Sequence, residues 1–175
     1  MKKYILLPIL FFVLSCSSTK VSYDYDKAAN FSKYKTYALS EESLNLNIDQ
    51  LNRNRILKAI ENELTSKGFS KSDTPDLIVD VLVKGKEIQT ATANSSGYGG
   101  YYGYRYGGGF STTQISYDSY VEGTMLITFI DKSTNNVVWR GTGVKTIDEN
   151  LSPEDREANI NASVKKIMMN YPPAK

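Results

Sequence analysis

Hydrophobic and polar residues alternate along five stretches of the chain with the period of two that is typical of half-buried β-strands. The stretches are residues 21–26, 35–39, 77–88, 112–130 and 137–147. In the third stretch, one face is formed by Leu77, Val79, Val81 and Val83. The fourth stretch is long for a single strand, so we expect a bulge or bend at Glu122–Gly123.

Two further stretches show the 3.6-residue spacing of amphipathic helices. The apolar stripe of the first comprises Leu51, Ile56, Leu57, Ile60 and Leu64. Asn47 and Asp49 are alternative N-caps for this helix, and Gly68 suits its C-terminal stop. In the second, Ser152 and Pro153 form a favourable helix start. The apolar stripe of this helix comprises Ile160, Val164, Ile167 and Met168.

The resulting element order, β-β-α-β-β-β-α, predicts an α+β fold with two layers. Both helices need a surface against which to bury their stripes, and a sheet with one apolar face provides it. We therefore expect a mixed, mostly antiparallel sheet with two helices on one face. The crossover through the first helix would give one parallel strand pair. These elements predict a single domain over residues 21–175.

The first residues have the features of a bacterial lipoprotein signal peptide, predicted over 1–15. A basic start is followed by an apolar run, and Ser15 precedes the only cysteine, Cys16. The run is too short for a transmembrane helix, which needs about 20 apolar residues. An ordinary secretory signal usually ends in an Ala-x-Ala-like site instead. We expect lipidation of Cys16 and a tether over 16–20.

The residue after the cysteine bears on the membrane to which the lipid attaches. In many Gram-negative bacteria an Asp at this position signals retention in the inner membrane, and this chain has Ser17. The expected location is the periplasmic face of the outer membrane. The expected partners are the membrane, through the N-terminal lipid, and an envelope protein or glycan.

Charge and composition exclude several kinds of chemistry. Loss of residues 1–15 removes Lys2 and Lys3 and leaves 19 basic and 19 acidic residues, so we expect no nucleic-acid partner. The chain has no histidine, which removes histidine-based catalysis and metal binding. We therefore expect no cofactor and no metal, and we assign no catalytic residue, while carboxylate, Lys, Tyr, Ser and Thr chemistry stays open.

A tyrosine- and glycine-rich segment interrupts the strand pattern and is predicted to be a loop over 94–111. Seven of the twelve glycines and five of the thirteen tyrosines lie in 97–109. One interpretation is a mobile hairpin loop without a ligand. The other is a binding loop for protein or glycan, because tyrosine provides amphipathic contact area. The binding residues would be Tyr98, Tyr101, Tyr102, Tyr104, Arg105, Tyr106 and Phe110.

Two other functions stay open at the level of sequence. Carboxylates of Asp76, Asp80, Asp118 and Glu122 would serve hydrolysis of envelope glycan if two of them lay roughly 5–10 Å apart. The favoured explanation places them at ordinary solvent-facing positions of strands and turns, as it does Lys84, Lys86 and Lys145. A carrier of a small apolar ligand would need a cavity of several hundred Å³ between sheet and helices.

Several short motifs together resemble the DUF4136 family of bacterial lipoproteins. They are the segment ending in Cys16, Thr36-Tyr37, Lys67-Gly68-Phe69, Pro75-Asp76-Leu77, Glu122-Gly123-Thr124, Val138-Trp139-Arg140-Gly141 and Tyr171-Pro172-Pro173. The resemblance spans roughly residues 20–173 and implies no established activity. It implies structural roles: Gly123 and Gly141 as strand bends, Trp139 in the core and Pro75 at a strand start. The sequence thus favours a non-enzymatic binding or assembly module of the cell envelope.

Overall fold

The computed structural model describes residues 19–97 and 111–173, and at 94–97, 111–115, 117 and 118 it describes the backbone only. Six strands and three α-helices follow one another along the chain. They are β1 (Lys20–Tyr25), β2 (Thr36–Leu39), α1 (Glu41–Leu44), α2 (Gln50–Ser66), β3 (Ser70–Lys71), β4 (Leu77–Gly97), β5 (Ser111–Asp131), β6 (Val137–Ile147) and α3 (Pro153–Met168). A single 3₁₀ turn, Phe31–Lys33, precedes β2.

The strands form one open, mixed sheet in the order β1-β6-β5-β4-β2-β3. Strands β4, β5 and β6 form an antiparallel meander, and β1 pairs antiparallel with β6. Strand β2 runs parallel to β4, and β3 parallel to β2. The predicted α+β fold and the parallel pair made by the helical crossover are therefore confirmed.

Both long helices begin and end where their capping residues predict. Asp49 is the N-cap of α2, since its carboxylate accepts the backbone N–H of Asn52 at 3.0 Å. Gly68 follows α2 with a φ of 85°, which a glycine adopts without steric cost. Ser152 caps α3, and its hydroxyl accepts the backbone N–H of Asp155 at 3.1 Å. Of the two caps proposed for α2, the nearer one is thus correct.

The helices pack on the sheet face that carries the odd-numbered residues of the central strands. Buried residues on this face are Leu77, Val79, Val81, Ile127, Phe129 and Trp139. The helices contribute Ile56, Ala59, Ile60 and Leu64 from α2 and Val164, Ile167 and Met168 from α3. Because side chains alternate along a strand, Arg140 points to the other face and is exposed.

Two predictions made from the sequence pattern are wrong. Leu51 belongs to the predicted apolar stripe of α2 but is 67% exposed, because at 3.6 residues per turn it lies on the side of the helix away from the buried Ile56 and Ile60. The bend predicted at Glu122–Gly123 is absent, since β4 and β5 pair there without a register shift. The irregularity lies between Phe129 and Ile130 in the pairing of β5 with β6.

The short helix α1 lies in a segment that the sequence pattern left as a polar linker. Ser40 caps it, and the Ser43 hydroxyl accepts the backbone N–H of Val81 at 2.7 Å. The last residue of β2, Leu39, pairs with Val79, so β2 offers no acceptor for the backbone N–H of Val81. The Ser43 hydroxyl supplies that acceptor in place of a strand. Four residues are too few for a hydrophobic period, which explains why the pattern missed this element.

Strands β4 and β5 continue far beyond the rest of the sheet. The last pair between β5 and β6 is Val121 with Ile147, yet β4 and β5 stay paired for ten further residues each, up to Gly97 and Ser111. We call this two-stranded extension, residues 88–97 and 111–120, the ribbon. At about 3.3 Å per residue it is roughly 30 Å long.

Candidate functional site

An open cleft of about 230 Å³ lies between the helical layer and the sheet, at the end from which the ribbon projects. Its apolar lining comprises Ile48, Ile56, Val83, Met125, Ile147, Leu151, Ile160 and Ile167. The helices α2 and α3 both begin at this end, because β6 leads into the start of α3 and α2 follows the α1 segment. The cleft is thus bounded by the first turns of two helices and the base of the ribbon.

Glycines in the floor of the cleft keep its walls close to the backbone. A Cβ at Gly123 would lie 2.7 Å from Cδ1 of Ile147, and one at Gly143 would lie 2.6 Å from Cδ1 of Ile167. Real Cβ atoms do not lie at such distances, so a larger residue at either position would force the neighbouring isoleucine side chain to move. Gly123 therefore makes room for the wall of the cleft, which corrects its predicted role as a strand bend.

Two cationic side chains lie in the lining and meet only neutral oxygens among the described residues. Nζ of Lys145 donates to Oδ1 of Asn159 at 2.7 Å. Nη2 of Arg156 donates to the carbonyl oxygen of Glu149 at 2.9 Å. Within the described part of the chain, neither cation forms a salt bridge. Lys145 is half-buried against α3, which contradicts its prediction as a solvated strand-edge charge.

The two carboxylates of the cleft are held in local turns. Asp49 accepts the backbone N–H and the side-chain amide of Asn52, at 3.0 and 2.7 Å. The Asn52 backbone N–H is the main reason that the pKa of Asp49 lies below its usual value. Asp148 accepts the backbone N–H of Asn150 at 2.9 Å. These acids satisfy the backbone where a helix or turn begins.

The described chain begins at the wall of the cleft. Thr19 is buried, and its hydroxyl lies 3.1 Å from the hydroxyl of Ser163 in α3. The next residue, Lys20, pairs with Val144, so the chain leaves the sheet beside Lys145. Cys16 lies outside the described residues, three positions upstream of Thr19.

The predicted binding loop lies at the far end of the ribbon. Residues Tyr98, Tyr101, Tyr102, Tyr104, Arg105, Tyr106 and Phe110 all lie outside the described residues. Both flanking strands reach into the predicted loop, since β4 ends at Gly97 and β5 begins at Ser111. Residues 89–93 of the ribbon are exposed. No other described strand pairs with either strand of the ribbon.

The carboxylates proposed for hydrolysis do not form a pair where their side chains are described. Asp80 and Glu122 both lie on the sheet face opposite the helices, and Glu122 pairs with Lys86, six residues along β4 from Asp80. At about 3.3 Å per residue this separates them by roughly 20 Å. Asp118 lies in the ribbon, and its side chain is outside the described atoms.

The first carboxylate of this set, Asp76, ties two strands together. Its Oδ2 accepts the backbone N–H groups of Lys35 and Thr36 at 2.8 and 2.9 Å, while its own N–H donates to Oγ1 of Thr36. These two backbone donors lower the pKa of Asp76 below its usual value. Two of the motifs behind the family resemblance thus meet in a purely structural contact.

The aromatic residues of the family motifs also make a structural contact. Tyr171 is buried at the end of the layer opposite the cleft, with its ring centroid 4.3 Å from that of Phe129 and 5.3 Å from that of Trp139. Gly141 lies beside them, and a Cβ there would fall 2.3 Å from the Trp139 ring. The absence of a side chain at Gly141 therefore leaves room for the indole ring of Trp139, which corrects the predicted role of Gly141 as a strand bend.

A family model described as "Domain of unknown function (DUF4136)" matches residues 21–173. The chain belongs to the DUF4136 family. The match covers the described sheet except its first residue, Lys20, and both long helices, so the family inferred from short motifs is confirmed. No curated protein matches this DUF4136 chain.

Two solved structures are similar to this DUF4136 domain at low sequence identity. A PDZ domain protein from Parabacteroides distasonis matches with a TM-score of 0.54 and 18% identity over 89% of this chain. The chain spans 36% of the length of that protein. The PelC dodecamer from Paraburkholderia phytofirmans matches with a TM-score of 0.49 and 12% identity, over 86% of this chain and 96% of that one. At 18% identity, the likeness to the PDZ domain protein concerns the fold alone.

Among the residues that the structure describes, no helix is both long and apolar enough to cross a membrane. The same residues contain no group of three or more potential metal ligands. Sequence reasoning left a cavity between sheet and helices open as an alternative, but it missed the residues of the cleft and its two cations. The position of Lys145 in the sequence could have indicated its role. It lies an even number of residues after Trp139 in the same strand, so its side chain faces the helices as that of Trp139 does.

Proposed function

We propose that this DUF4136 protein is a non-enzymatic, lipid-anchored module of the cell envelope that binds a protein or glycan partner through its ribbon. Cys16 is the lipidation site in this proposal, and the periplasmic face of the outer membrane is the location. The observation that supports it best is the ribbon itself, which extends ten residue pairs beyond the sheet and ends at the tyrosine-rich segment.

An isolated pair of strands is marginally stable in water, and its open edges offer backbone groups for pairing with another chain. A ribbon of this length therefore favours a role in contact. In β4 the backbone N–H and C=O groups that face β2 belong to odd-numbered residues, as the hydrogen bond from the Ser40 N–H to the Val79 carbonyl shows. Beyond Val81 the backbone groups of the odd-numbered residues continue along this edge of β4 and of the ribbon, where no described strand pairs with them.

The hydrolase alternative has no support in the described residues. Asp76 is bonded to the backbone, and Asp80 accepts the Ser40 hydroxyl at 2.7 Å. Retaining and inverting glycosidases both need two carboxyl groups closer than about 10 Å. The carrier alternative is favoured by one specific observation, the apolar cleft, and is therefore the second candidate.

The ribbon proposal is tested by placing a photoactivatable cross-linking amino acid at selected positions in intact cells. Positions Gln89 and Ala91 lie on the exposed ribbon, and Lys58 on the exposed face of α2 is the matched control. We expect one defined cross-linked species from the ribbon positions and none from Lys58. Equal products from all three positions would contradict the proposal.

A second variant separates the ribbon from the segment at its end. Replacing 98–110 by a two-residue Asn-Gly turn keeps the paired strands and removes every predicted aromatic contact of that segment. Loss of the cross-link with this variant assigns the contact to the tyrosine-rich segment. Persistence of the cross-link assigns it to the paired strands.

The lipid anchor is tested independently of any partner. Cells grown with an alkyne-labelled fatty acid should incorporate the label into the wild-type protein and not into Cys16→Ser. The wild-type protein should sediment with the outer membrane, and the variant should be released with the soluble periplasmic contents. Label in both proteins, or in neither, would refute lipidation at Cys16.

A further inference from the structure

We propose that the cleft binds the alkyl chain of a single-chain anionic amphiphile, such as a fatty acid taken from the membrane, with the anionic head group at Lys145 and Arg156. The inference deepens the second candidate function and is independent of the ribbon. It rests on the shape of the cleft, on its charges and on where the chain begins.

The size and walls of the cleft suit part of an alkyl chain. Apolar cavities of about 150 Å³ bind a benzene ring, and a water-sized group occupies about 30 Å³. The volume of about 230 Å³ therefore holds roughly eight methylene-sized groups. Gly123 and Gly143 let the side chains of Ile147 and Ile167 pack against the sheet backbone, and these two side chains together with Ile160 form apolar walls of the cleft.

The polar lining favours an anionic head group over a neutral or cationic one. Lys145 and Arg156 meet only neutral acceptors among the described residues, so each retains hydrogen-bonding capacity for an anion. The helices α2 and α3 both direct their N-terminal ends to this region, and a helix N-terminus carries a partial positive charge. Asp49 and Asp148 are already engaged by backbone N–H groups in their own turns.

The start of the described chain favours the membrane as the source of the amphiphile. Thr19 forms part of the cleft wall, and three residues span at most about 11 Å. A lipid on Cys16 would therefore hold the cleft within about 11 Å of the point where the anchor meets the bilayer. This distance lets an amphiphile pass from the membrane into the cleft without crossing bulk solvent.

The test compares three ten-carbon ligands that differ only in the head group: decanoate, decanol and decyltrimethylammonium. The protein is the full mature chain with Cys16→Ser, which keeps every described contact because those contacts begin at Thr19. Isothermal titration calorimetry should show that decanoate binds at least tenfold more tightly than the other two. Equal affinities, or no binding of decanoate, would overturn the proposal.

Single substitutions then locate the head group. Lys145→Met should weaken decanoate binding about tenfold, as expected for loss of one charge-assisted hydrogen bond, and leave decanol binding unchanged. Lys84→Met is the matched control, since Lys84 is an exposed lysine on the opposite face of the sheet. If both lysine variants weaken decanoate equally, the head group is not at Lys145 and the proposal fails.

One further comparison distinguishes the two possible sources of an acyl chain. The lipidated wild-type protein is placed in lipid nanodiscs that contain ¹³C-labelled decanoate. Contacts between the labelled chain and the methyl groups of Ile160 and Ile167 are expected in its NMR spectra. If decanoate binds the Cys16→Ser chain but is excluded from the lipidated protein, the cleft belongs to the protein's own anchor, which overturns the assignment to a membrane amphiphile. Failure of the ribbon cross-links would leave all these results unaffected.

Discussion

The two ends of the layer between sheet and helices are filled in different ways. At one end, which we call the aromatic end, Tyr171 packs edge to face on Phe129 and on Trp139, whose rings are tilted against each other, and Gly141 lies beside them. At the other end the same strands carry Met125 and Gly123, and the space above them is the cleft. Only six residues along β5 separate Gly123 from Phe129, so one strand contributes to both.

Under the proposal that the cleft binds an amphiphile, this difference assigns stability and binding to opposite ends of one small domain. Large aromatic side chains fill the aromatic end and leave no room for a ligand there. At the cleft, glycines and half-buried aliphatic side chains leave apolar surface open to solvent. With one cysteine the chain forms no internal disulfide, so its stability depends on packing, to which the aromatic end contributes the largest fully buried side chains.

The largest expected effect comes from truncating the aromatic end. Phe129→Ala should lower the free energy of unfolding by about 3–5 kcal/mol, because it leaves a cavity beneath Tyr171. Met125→Ala, on the same strand and face, should cost about 1 kcal/mol, because Met125 borders an open cleft. Urea denaturation measures both. Equal losses would show that the cleft is as important for stability as the aromatic end.

Next in size is the loss of a buried carboxylate at the same end. Asp131 accepts from Nζ of Lys33 at 2.6 Å, from the Ser133 hydroxyl at 2.6 Å and from the Tyr34 hydroxyl at 2.9 Å. These bonds, that of Lys33 first, hold the pKa of Asp131 well below its usual value. Asp131→Asn should lower the free energy of unfolding by about 2 kcal/mol at neutral pH.

The sign of the pH dependence follows from the lowered pKa of Asp131. The carboxylate stabilises the fold above the unfolded-state pKa near 4, and this contribution disappears as pH falls through the folded-state pKa. The stability difference between wild type and Asp131→Asn should therefore be constant from about pH 5 to 8 and shrink below about pH 4. Asp73→Asn, at an exposed position, serves as the control. A difference that grows on acidification would refute this account.

Glycine substitutions compare the two ends directly. Gly141→Ala should cost about 1–3 kcal/mol, since the new methyl group would overlap the fully buried Trp139 and Ile167. Gly123→Ala should change the free energy of unfolding by less than about 1 kcal/mol, because Ile147 is 41% exposed and can change rotamer. Thermal and urea denaturation of the two variants provide the measurement. A larger loss at Gly123 would mean that the cleft wall is rigid.

The smallest expected effect concerns a hydroxyl at the aromatic end. The hydroxyl of Tyr171 is buried and has no hydrogen-bond partner among the described residues. Tyr171→Phe should leave stability unchanged or raise it by up to about 1 kcal/mol, since it removes an unpaired polar group. Tyr34→Phe is the matched comparison and should cost about 2 kcal/mol, because that hydroxyl donates to Asp131. A clear loss in Tyr171→Phe would indicate an unrecognised partner for its hydroxyl.

The succession of the main strands along the chain and the ends of both long helices could be predicted from the sequence, because the patterns that indicate them are local. Alternation identified β4 and β6, and Ser152 and Gly68 marked helix boundaries through their own backbone chemistry. Short motifs such as Val138-Trp139-Arg140-Gly141 were also sufficient to indicate the family. Each of these inferences depends on residues that are neighbours in the chain.

Only the tertiary structure decided the roles of residues that act across elements. Lys145 has the appearance of a strand-edge charge until α3 places Asn159 against it, and Gly123 and Gly141 resemble bends until the neighbouring side chains show that they provide space. The cleft itself arises where two helix starts, a glycine floor and the beginning of β1 converge. Sequence periodicity reports which face of an element is buried, whereas a cavity depends on how well the faces of separate elements fill the space between them.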